Sequence, residues 1–173
     1  MPAFLKPFLL SILAAALLAV SGCGYTWRGE ENSSTTHSVL GDGSKTLRIR
    51  SVEQTTLYAW IPYIVRSQLR DEIAARGLAK WVDAAPSDFT IGVKILGCRM
   101  RSDNDLSSGM PNLVTATITM VFNICNGHTN QEIWSSGTIE YTDSFEREDE
   151  RTVIQSIVRE CIYRGVDRIQ QQF

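Results

Sequence analysis

The most constraining feature of the sequence is the motif Val20-Ser21-Gly22-Cys23-Gly24, which directly follows an apolar run from Phe8 to Val20. Lys6 precedes the run and supplies a positive charge. A positive start, an apolar core of about 7–15 residues and a small-residue cleavage site together form a secretory signal peptide. The run is shorter than the roughly 20 residues that span a bilayer. We therefore predict that residues 1–22 are a signal peptide.

The cysteine at the end of this segment makes the motif more specific, because Val-Ser-Gly-Cys resembles a bacterial lipobox. In a lipobox the thiol is alkylated with diacylglycerol and the chain is cut before the cysteine. Cys23 is then the first mature residue, and its two or three acyl chains anchor the protein stably, whereas one chain anchors it only marginally. Gly24 stands where aspartate is the usual inner-membrane retention signal of enteric bacteria, which favours the outer membrane. The alternative is an ordinary signal peptide with a chance cysteine.

Composition argues against several classes of protein. About 150 residues remain after residue 22, which fits one domain with a sizeable core. The net charge is −2, from 17 basic and 19 acidic residues, without the basic excess of nucleic-acid-binding proteins. The two histidines, His37 and His128, leave little for metal or triad chemistry, and the chain has no Gly-x-Ser-x-Gly motif or phosphate-binding loop. We expect no enzyme activity, cofactor, metal site or nucleic-acid partner.

Hydrophobic periodicity predicts six elements. Residues alternate between apolar and polar in four segments, which predicts strands, and recur at three and four positions in two, which predicts helices. A linker rich in Ser, Thr, Asn and Gly precedes them and, with Cys23, makes residues 23–45 a lipidated tether before a domain at 46–173. In chain order the elements are a strand at 46–52, a helix at 58–76, strands at 89–101, 113–125 and 133–142, and a helix at 149–173.

The order of these elements predicts an α+β fold. The first strand–helix–strand unit is expected to be a right-handed crossover between parallel strands, and the last three strands an antiparallel meander with a turn at Asn126-Gly127. Each helix has one apolar stripe and each strand one apolar face. We therefore predict a two-layer sandwich, with two helices packed on one face of a mixed four-stranded sheet. The other face is threonine-rich, and is either solvated or a docking surface.

The start of the mature chain resembles a known family. The string Cys23-Gly24-Tyr25-x-x-Arg28-Gly29 is similar to the mature start of LptE, the lipopolysaccharide-assembly lipoproteins. The first strand and helix, with Leu69-Arg70-Asp71-Glu72 and Arg76-Gly77, resemble the same block in that family. Many members have an asparagine after the first strand, where this chain has Glu53-Gln54. The alternative for the first mature residues is a polar tether with incidental aromatic residues.

The resemblance implies a function that the residues alone do not. LptE proteins are outer-membrane lipoproteins that plug the large β-barrel LptD, help to assemble it and assist the insertion of lipopolysaccharide into the outer leaflet. Only Cys23 matches a family position whose role is carried over. The runner-up is a periplasmic, lipid-anchored scaffold of another envelope assembly machine that binds protein only. A lipid-anchored enzyme is a third reading, which the lack of a catalytic motif disfavours.

Within this function, a few residues are candidates for contacts. Lys94, Arg99 and Arg101 form a basic run, which is either solvated charge or a contact with phosphorylated lipid A sugars, since arginine matches phosphate geometry. Trp134 is expected to project from the polar sheet face, where an aromatic anchor suits a partner contact with the barrel.

The remaining cysteines are Cys98, Cys125 and Cys161. Cys161 lies in the apolar stripe of the last helix and is expected to be a small core residue. Pairing of the second and third strands around the 102–112 loop places Cys98 near Ala116, about 30 Å along the strand from Cys125. Disulfide-bonded Cα atoms lie within about 7 Å, so no Cys98–Cys125 bridge is expected.

Overall fold

The computed structural model describes residues 38–103, 113–146 and 149–171. The predicted signal peptide, Cys23, most of the tether and most of the 102–112 loop lie outside these residues. Within them, the elements are as follows: β1 Thr46–Gln54, α1 Ile61–Ala75, β2 Lys80–Trp81, β3 Phe89–Asp103, β4 Leu113–Asn126, β5 Glu132–Glu146 and α2 Glu150–Gln170.

The strands form one mixed sheet in the order β2-β1-β3-β4-β5. β1 is parallel to β2 and β3, and β3, β4 and β5 are antiparallel neighbours, so the predicted parallel pairing of the first two long strands and the predicted meander are both confirmed. The predicted number of four strands is wrong, because Lys80–Trp81 adds a short edge strand. Two residues are too few to show the alternation of apolar and polar side chains that predicts a strand. This segment is identified as a strand only by its pairing with Thr46 and Leu47 in the structure.

Local signals explain where the helices begin and end. Pro62 lies in the first turn of α1, where its missing N–H costs nothing, and Gly77 follows the last turn with a φ of +63°. Asp149 caps α2 by accepting a hydrogen bond from the Thr152 backbone N–H at 2.9 Å. Neither helix is both long enough and apolar enough to cross a membrane, in the part of the chain that the structure describes.

The core lies between the two helices and one face of the sheet. Both helices contact the sheet and each other, so they cover the same face, as predicted. The buried stripe of α2 includes Cys161, which is fully buried as expected. Fully buried residues of the core include Leu47, Val65, Leu69, Ile91, Val93, Ile118, Met120, Phe122, Ile124, Ile157, Val158 and Ile162.

The core also extends N-terminal to the first strand. Leu40, which the sequence places in the tether, is fully buried, and the backbone N–H of Val39 donates to the carbonyl of Ile169 at 3.1 Å. Residues from Ser38 onward therefore pack as part of the domain.

Candidate binding surface

The face of the sheet that points away from the helices, called here the outer face, is polar and rich in threonine. Hydroxyls from β4 meet side chains from β5 across the ladder: Thr117 lies 2.9 Å from Thr142, and Thr119 donates to Glu140 at 3.3 Å. Such cross-strand pairs stabilise an antiparallel sheet. The outer face is therefore stable in water and suited to polar contacts.

The predicted basic residues share this outer face because of a β-bulge. Strict alternation would place Lys94 and Arg99, five positions apart, on opposite faces of β3. The pairing with β4 shifts around Leu96, which is an extra residue in the strand. One extra residue reverses the alternation. Arg99 and Arg101 therefore join Lys94 on the outer face.

The three basic residues differ in what they contact. Lys94 Nζ lies 3.9 Å from Glu53 Oε2, and both side chains are largely exposed, so this pair contributes little to stability. Arg99 and Arg101 are exposed and have no ion pair within the described residues. They are two ladder positions apart, roughly 7 Å, whereas Lys94 lies roughly 13 Å from Arg99. The two arginines can contact one anionic group, and Lys94 a second.

A recess of about 370 Å³ with both polar and apolar lining residues includes Arg99 in its wall. Thr55, Leu57, Leu96 and Cys98 contribute to its lining. Leu57 is fully exposed and Leu96 is 49% exposed, so two apolar side chains face solvent next to Arg99. Burial, with a smaller effect of Glu150, raises the pKa of Cys98 to about 11, so this thiol is protonated at neutral pH and is a poor nucleophile.

The predicted position of Trp134 on the outer face is wrong. Trp134 pairs with the core residue Ile124 and packs, partly buried, against the hydrophobic core, whereas Ile133 is 45% exposed. The cause is a bulge at Ser136 and Gly137, which both lie opposite Phe122 of β4.

Two local features hold this bulge in place. The Phe122 backbone N–H donates to Ser136 Oγ at 2.9 Å, and Gly137 has a φ of +63°, a conformation that favours glycine. Because the bulge reverses the alternation of side chains, Trp134 faces the core.

The register of β3 and β4 separates the two strand cysteines. Cys98 pairs with Ile118, two positions beyond the predicted Ala116, because the ladder begins with Asp103 opposite Leu113 and continues unshifted to Cys98. Seven residues of β4, roughly 23 Å, then separate Ile118 from Cys125. This distance excludes a Cys98–Cys125 disulfide, in agreement with the prediction.

A second concave surface, called here the α1 cleft, was not predicted from the sequence. It has a volume of about 550 Å³ and lies where β2 ends and α1 passes beside β1. Five of its residues come from one exposed stripe of α1. The lining consists of Arg48, Ile49, Tyr63, Arg66, Ser67, Arg70, Asp71, Trp81, Val82 and Asp83.

The sequence contains only part of the information needed to predict the α1 cleft. Tyr63, Arg66, Ser67, Arg70 and Asp71 recur at the three- and four-residue spacing of one helix face. Spacing alone cannot show that this face meets Arg48 and Trp81, which come from two different strands. Among the described residues, no group of three His, Cys, Asp or Glu side chains is placed to hold a metal ion.

Comparison with known proteins supplies a family. The family model LptE, described as lipopolysaccharide-assembly, matches residues 44–172. A search of the curated proteins finds no match.

Several solved structures are similar in fold. The hypothetical protein CT253 from Chlamydia trachomatis has 8% sequence identity and a TM-score of 0.55, over 73% of this chain and 96% of that chain. The PelC dodecamer from Paraburkholderia phytofirmans has 12% identity and a TM-score of 0.53, over 79% of this chain and 94% of that chain. A minor lipoprotein from Acinetobacter baumannii has 15% identity and a TM-score of 0.46, over 73% and 90%. At these identities, the likeness to CT253 and PelC shows the fold alone.

Proposed function

Because the chain belongs to the LptE family of lipopolysaccharide-assembly lipoproteins, we propose that it plugs and helps to assemble an LptD-type β-barrel and assists the insertion of lipopolysaccharide into the outer leaflet. The observation that carries the proposal is the family match, which spans nearly the whole folded domain. The lipobox at Val20–Cys23 adds an independent reason to place the protein on a membrane, and Gly24 favours the outer membrane. The family is one of non-enzymatic lipoproteins.

Within this function, we assign lipopolysaccharide contact to Lys94, Arg99 and Arg101. Arg99 and Arg101 are exposed, close enough to contact one phosphate group together, and have no competing ion pair among the described residues. Guanidinium groups donate paired hydrogen bonds that match phosphate oxygens. The exposed Leu57 and Leu96 beside Arg99 provide an apolar surface next to this charge, which suits an amphipathic ligand.

Barrel contacts are proposed for the outer face and its loop tips. Trp134 packs against the core, so we do not propose it as the central contact with the barrel. The hydroxyl rows of β4 and β5 would present a polar surface to a barrel wall.

Association with a barrel is tested by purifying the mature lipoprotein from outer membranes. We expect a large β-barrel protein to co-purify, and we expect depletion of the lipoprotein to lower both correctly assembled barrel and surface lipopolysaccharide. If no barrel co-purifies and depletion changes neither quantity, the protein-binding scaffold of another envelope machine is the better explanation.

Lipopolysaccharide contact is tested by replacing Arg99 and Arg101 with Glu. Charge-assisted hydrogen bonds contribute about 1.5–3 kcal/mol each, so we expect at least about a tenfold loss of lipopolysaccharide affinity with unchanged circular dichroism. The matched control is Lys45→Glu with Arg159→Glu, which makes the same charge change at exposed positions elsewhere. An equal loss in both variants would mean that net charge alone is responsible.

A further inference from the structure

The α1 cleft runs along an open edge of the sheet. Beyond Leu47, β1 has no strand partner on the β2 side among the described residues. Arg48 and Ile49 point to opposite faces of β1, yet both line the cleft. Side chains from both faces line one cleft where it crosses the backbone edge between them. The α1 cleft is therefore a groove with the edge of β1 as its floor and α1 as one wall.

Backbone groups on this edge are available for hydrogen bonding. The carbonyls of Lys45 and Leu47 point to the β2 side of β1. They accept from the backbone N–H groups of Lys80 and Val82 at 2.8 Å and 3.0 Å, respectively. Because backbone groups alternate along a strand, the N–H and C=O of Ile49 lie on this same side. Within the described residues, β2 ends before it reaches them. An extended chain placed here would continue the ladder where β2 stops.

The helix wall of the groove is positively charged. Arg66 and Arg70 are exposed, lie one turn apart and line the cleft, and neither has an ion pair in the described part of the chain. Like charges four residues apart on a helix repel each other. Asp71 is the one carboxylate that α1 adds to the lining, so this wall keeps a net positive charge. Asp83, at the end of the groove, already accepts from the Trp81 indole N–H at 3.1 Å.

The spacing of the two arginines fits an added strand. Every second side chain of a strand points the same way, so residues i and i+2 lie about 7 Å apart on one face. Positions four apart on a helix are separated by about 6 Å along its axis. Two carboxylates at i and i+2 of a strand paired with β1 would therefore match Arg66 and Arg70. Addition of a strand to an exposed sheet edge is a recurring mode of peptide recognition.

A second copy of the chain is a poorer occupant of the groove. β1 of another copy carries Arg48 and Arg50, so pairing of the two β1 edges would place like charges together. On the other outer edge of the sheet, the carbonyls of Ser136 and Thr138 in β5 accept from Arg168 at 2.6 Å and 3.3 Å. That part of the β5 edge is already occupied. An acidic strand from a different protein meets neither obstacle.

We propose that the α1 cleft binds an acidic, extended segment of a partner protein as an added β-strand. Its backbone pairs with β1 at Ile49, and two of its carboxylates contact Arg66 and Arg70. Tyr63, which is 74% exposed, offers an apolar ring face to a neighbouring side chain of the segment. The site uses none of the residues proposed above for contact with lipopolysaccharide or a barrel, so it is a separate partner surface.

The test measures amide hydrogen exchange in ¹⁵N-labelled mature lipoprotein in detergent micelles. The probe is a short peptide of alternating Glu and Val. It is compared with the same peptide carrying Lys in place of Glu, and with the same peptide methylated at its backbone amides. Without peptide, we expect the Ile49 amide to exchange rapidly at every protein concentration. Saturating Glu–Val peptide should slow this exchange about tenfold or more, because a hydrogen-bonded amide is protected. The other two peptides should bind about tenfold more weakly or worse.

Substitutions separate the helix arginines from general charge. Arg66→Gln with Arg70→Gln should weaken binding of the Glu–Val peptide about tenfold or more. The matched control is Arg151→Gln with Arg159→Gln, which removes two exposed arginines of α2 outside the cleft and should bind as the parent does. Unchanged amide signals in β4 show that each variant is folded.

Several outcomes would overturn the proposal. Equal binding of the three peptides would exclude an acidic added strand, and an equal loss of affinity in the control would exclude a specific role of α1. Slow exchange of Ile49 without peptide would show that the groove is already filled. Protection that rises with protein concentration would assign it to a second copy, and protection independent of concentration to another segment of the same chain. None of these results depends on whether a barrel co-purifies.

Discussion

At the scale of single residues, Asp88 joins the beginnings of two strands. Its carboxylate accepts hydrogen bonds from the backbone N–H and the hydroxyl of Thr46, both at 2.8 Å, and its own N–H donates to that hydroxyl at 2.8 Å. Its carbonyl accepts from Gly127 at 2.7 Å, which adds the turn after β4. The backbone N–H and then the hydroxyl of Thr46 hold the pKa of Asp88 below its usual value.

This carboxylate predicts a pH dependence of stability. A lowered folded-state pKa stabilises the fold above the unfolded pKa, about 3.9, and that contribution is lost as the pH falls through the folded value. We expect Asp88→Asn to lower the urea midpoint at pH 7, and the difference from the parent to shrink as the pH falls below about 4. Urea denaturation at a series of pH values measures this.

Substitutions of Trp134 and of its neighbour Ile133 would test the position of the bulge in β5. Truncation of a buried aromatic side chain costs about 3–5 kcal/mol, and Trp134 is only partly buried, so we expect Trp134→Ala to lower the free energy of unfolding by about 2–3 kcal/mol. Ile133→Ala should cost less than about 1 kcal/mol, because that side chain is exposed. Chemical denaturation compares the two. If Ile133→Ala cost more than Trp134→Ala, β5 would have no bulge at this point and Trp134 would face outward.

At the scale of elements, the types and order of the long segments follow from periodicity, whereas the bulges do not. The alternation in β4 runs unbroken from Ala116 to Ile124, and its prediction is confirmed in every position. In β5, Ser136 and Gly137 carry no apolar signal, so the reversal they cause is invisible until the pairing with Phe122 is known. The grouping of Lys94 with Arg99 depends in the same way on Leu96.

The two candidate surfaces also differ in whether the sequence could predict them. The basic residues on β3 are close together in the sequence, so the sequence alone identified them. The α1 cleft needs Arg48, α1 and the short strand at Trp81 to come together, and that is determined by long-range packing. Single-sequence patterns describe a helix face but do not identify the elements that meet it.

The packing of α2 on β4 depends on the absence of a side chain at Gly165. A Cβ built there would lie 2.6–2.9 Å from ring atoms of Phe122. We expect Gly165→Ala to destabilise the domain, because overpacking costs about 1–3 kcal/mol and the better helix propensity of alanine returns about 1 kcal/mol. In the background of Phe122→Leu, which opens space, the same substitution should cost less. Additive effects in thermal denaturation would contradict a direct contact.

At the scale of the whole molecule, the predicted lipid anchor at Cys23 precedes the folded domain in the sequence. We expect mass spectrometry of the native protein to find an N-terminal peptide that begins at Cys23 and carries the mass of attached lipid. Cys23→Ser should then release the domain from membranes, because acyl burial provides the anchoring free energy. An unmodified Cys23 within an uncleaved chain would contradict the lipobox interpretation.

The shortness of β2 has a consequence for self-association. Beyond Leu47, β1 has no strand neighbour on the β2 side in the part of the chain that the structure describes. An open strand edge is a template for pairing with another chain, and natural proteins discourage this with charged side chains and bulges. β1 has both, since Arg48 and Arg50 lie on this segment and the pairing with β3 shifts at Arg50. We therefore expect the arginines of the first strand to discourage copies of this lipoprotein from joining edge to edge into aggregates.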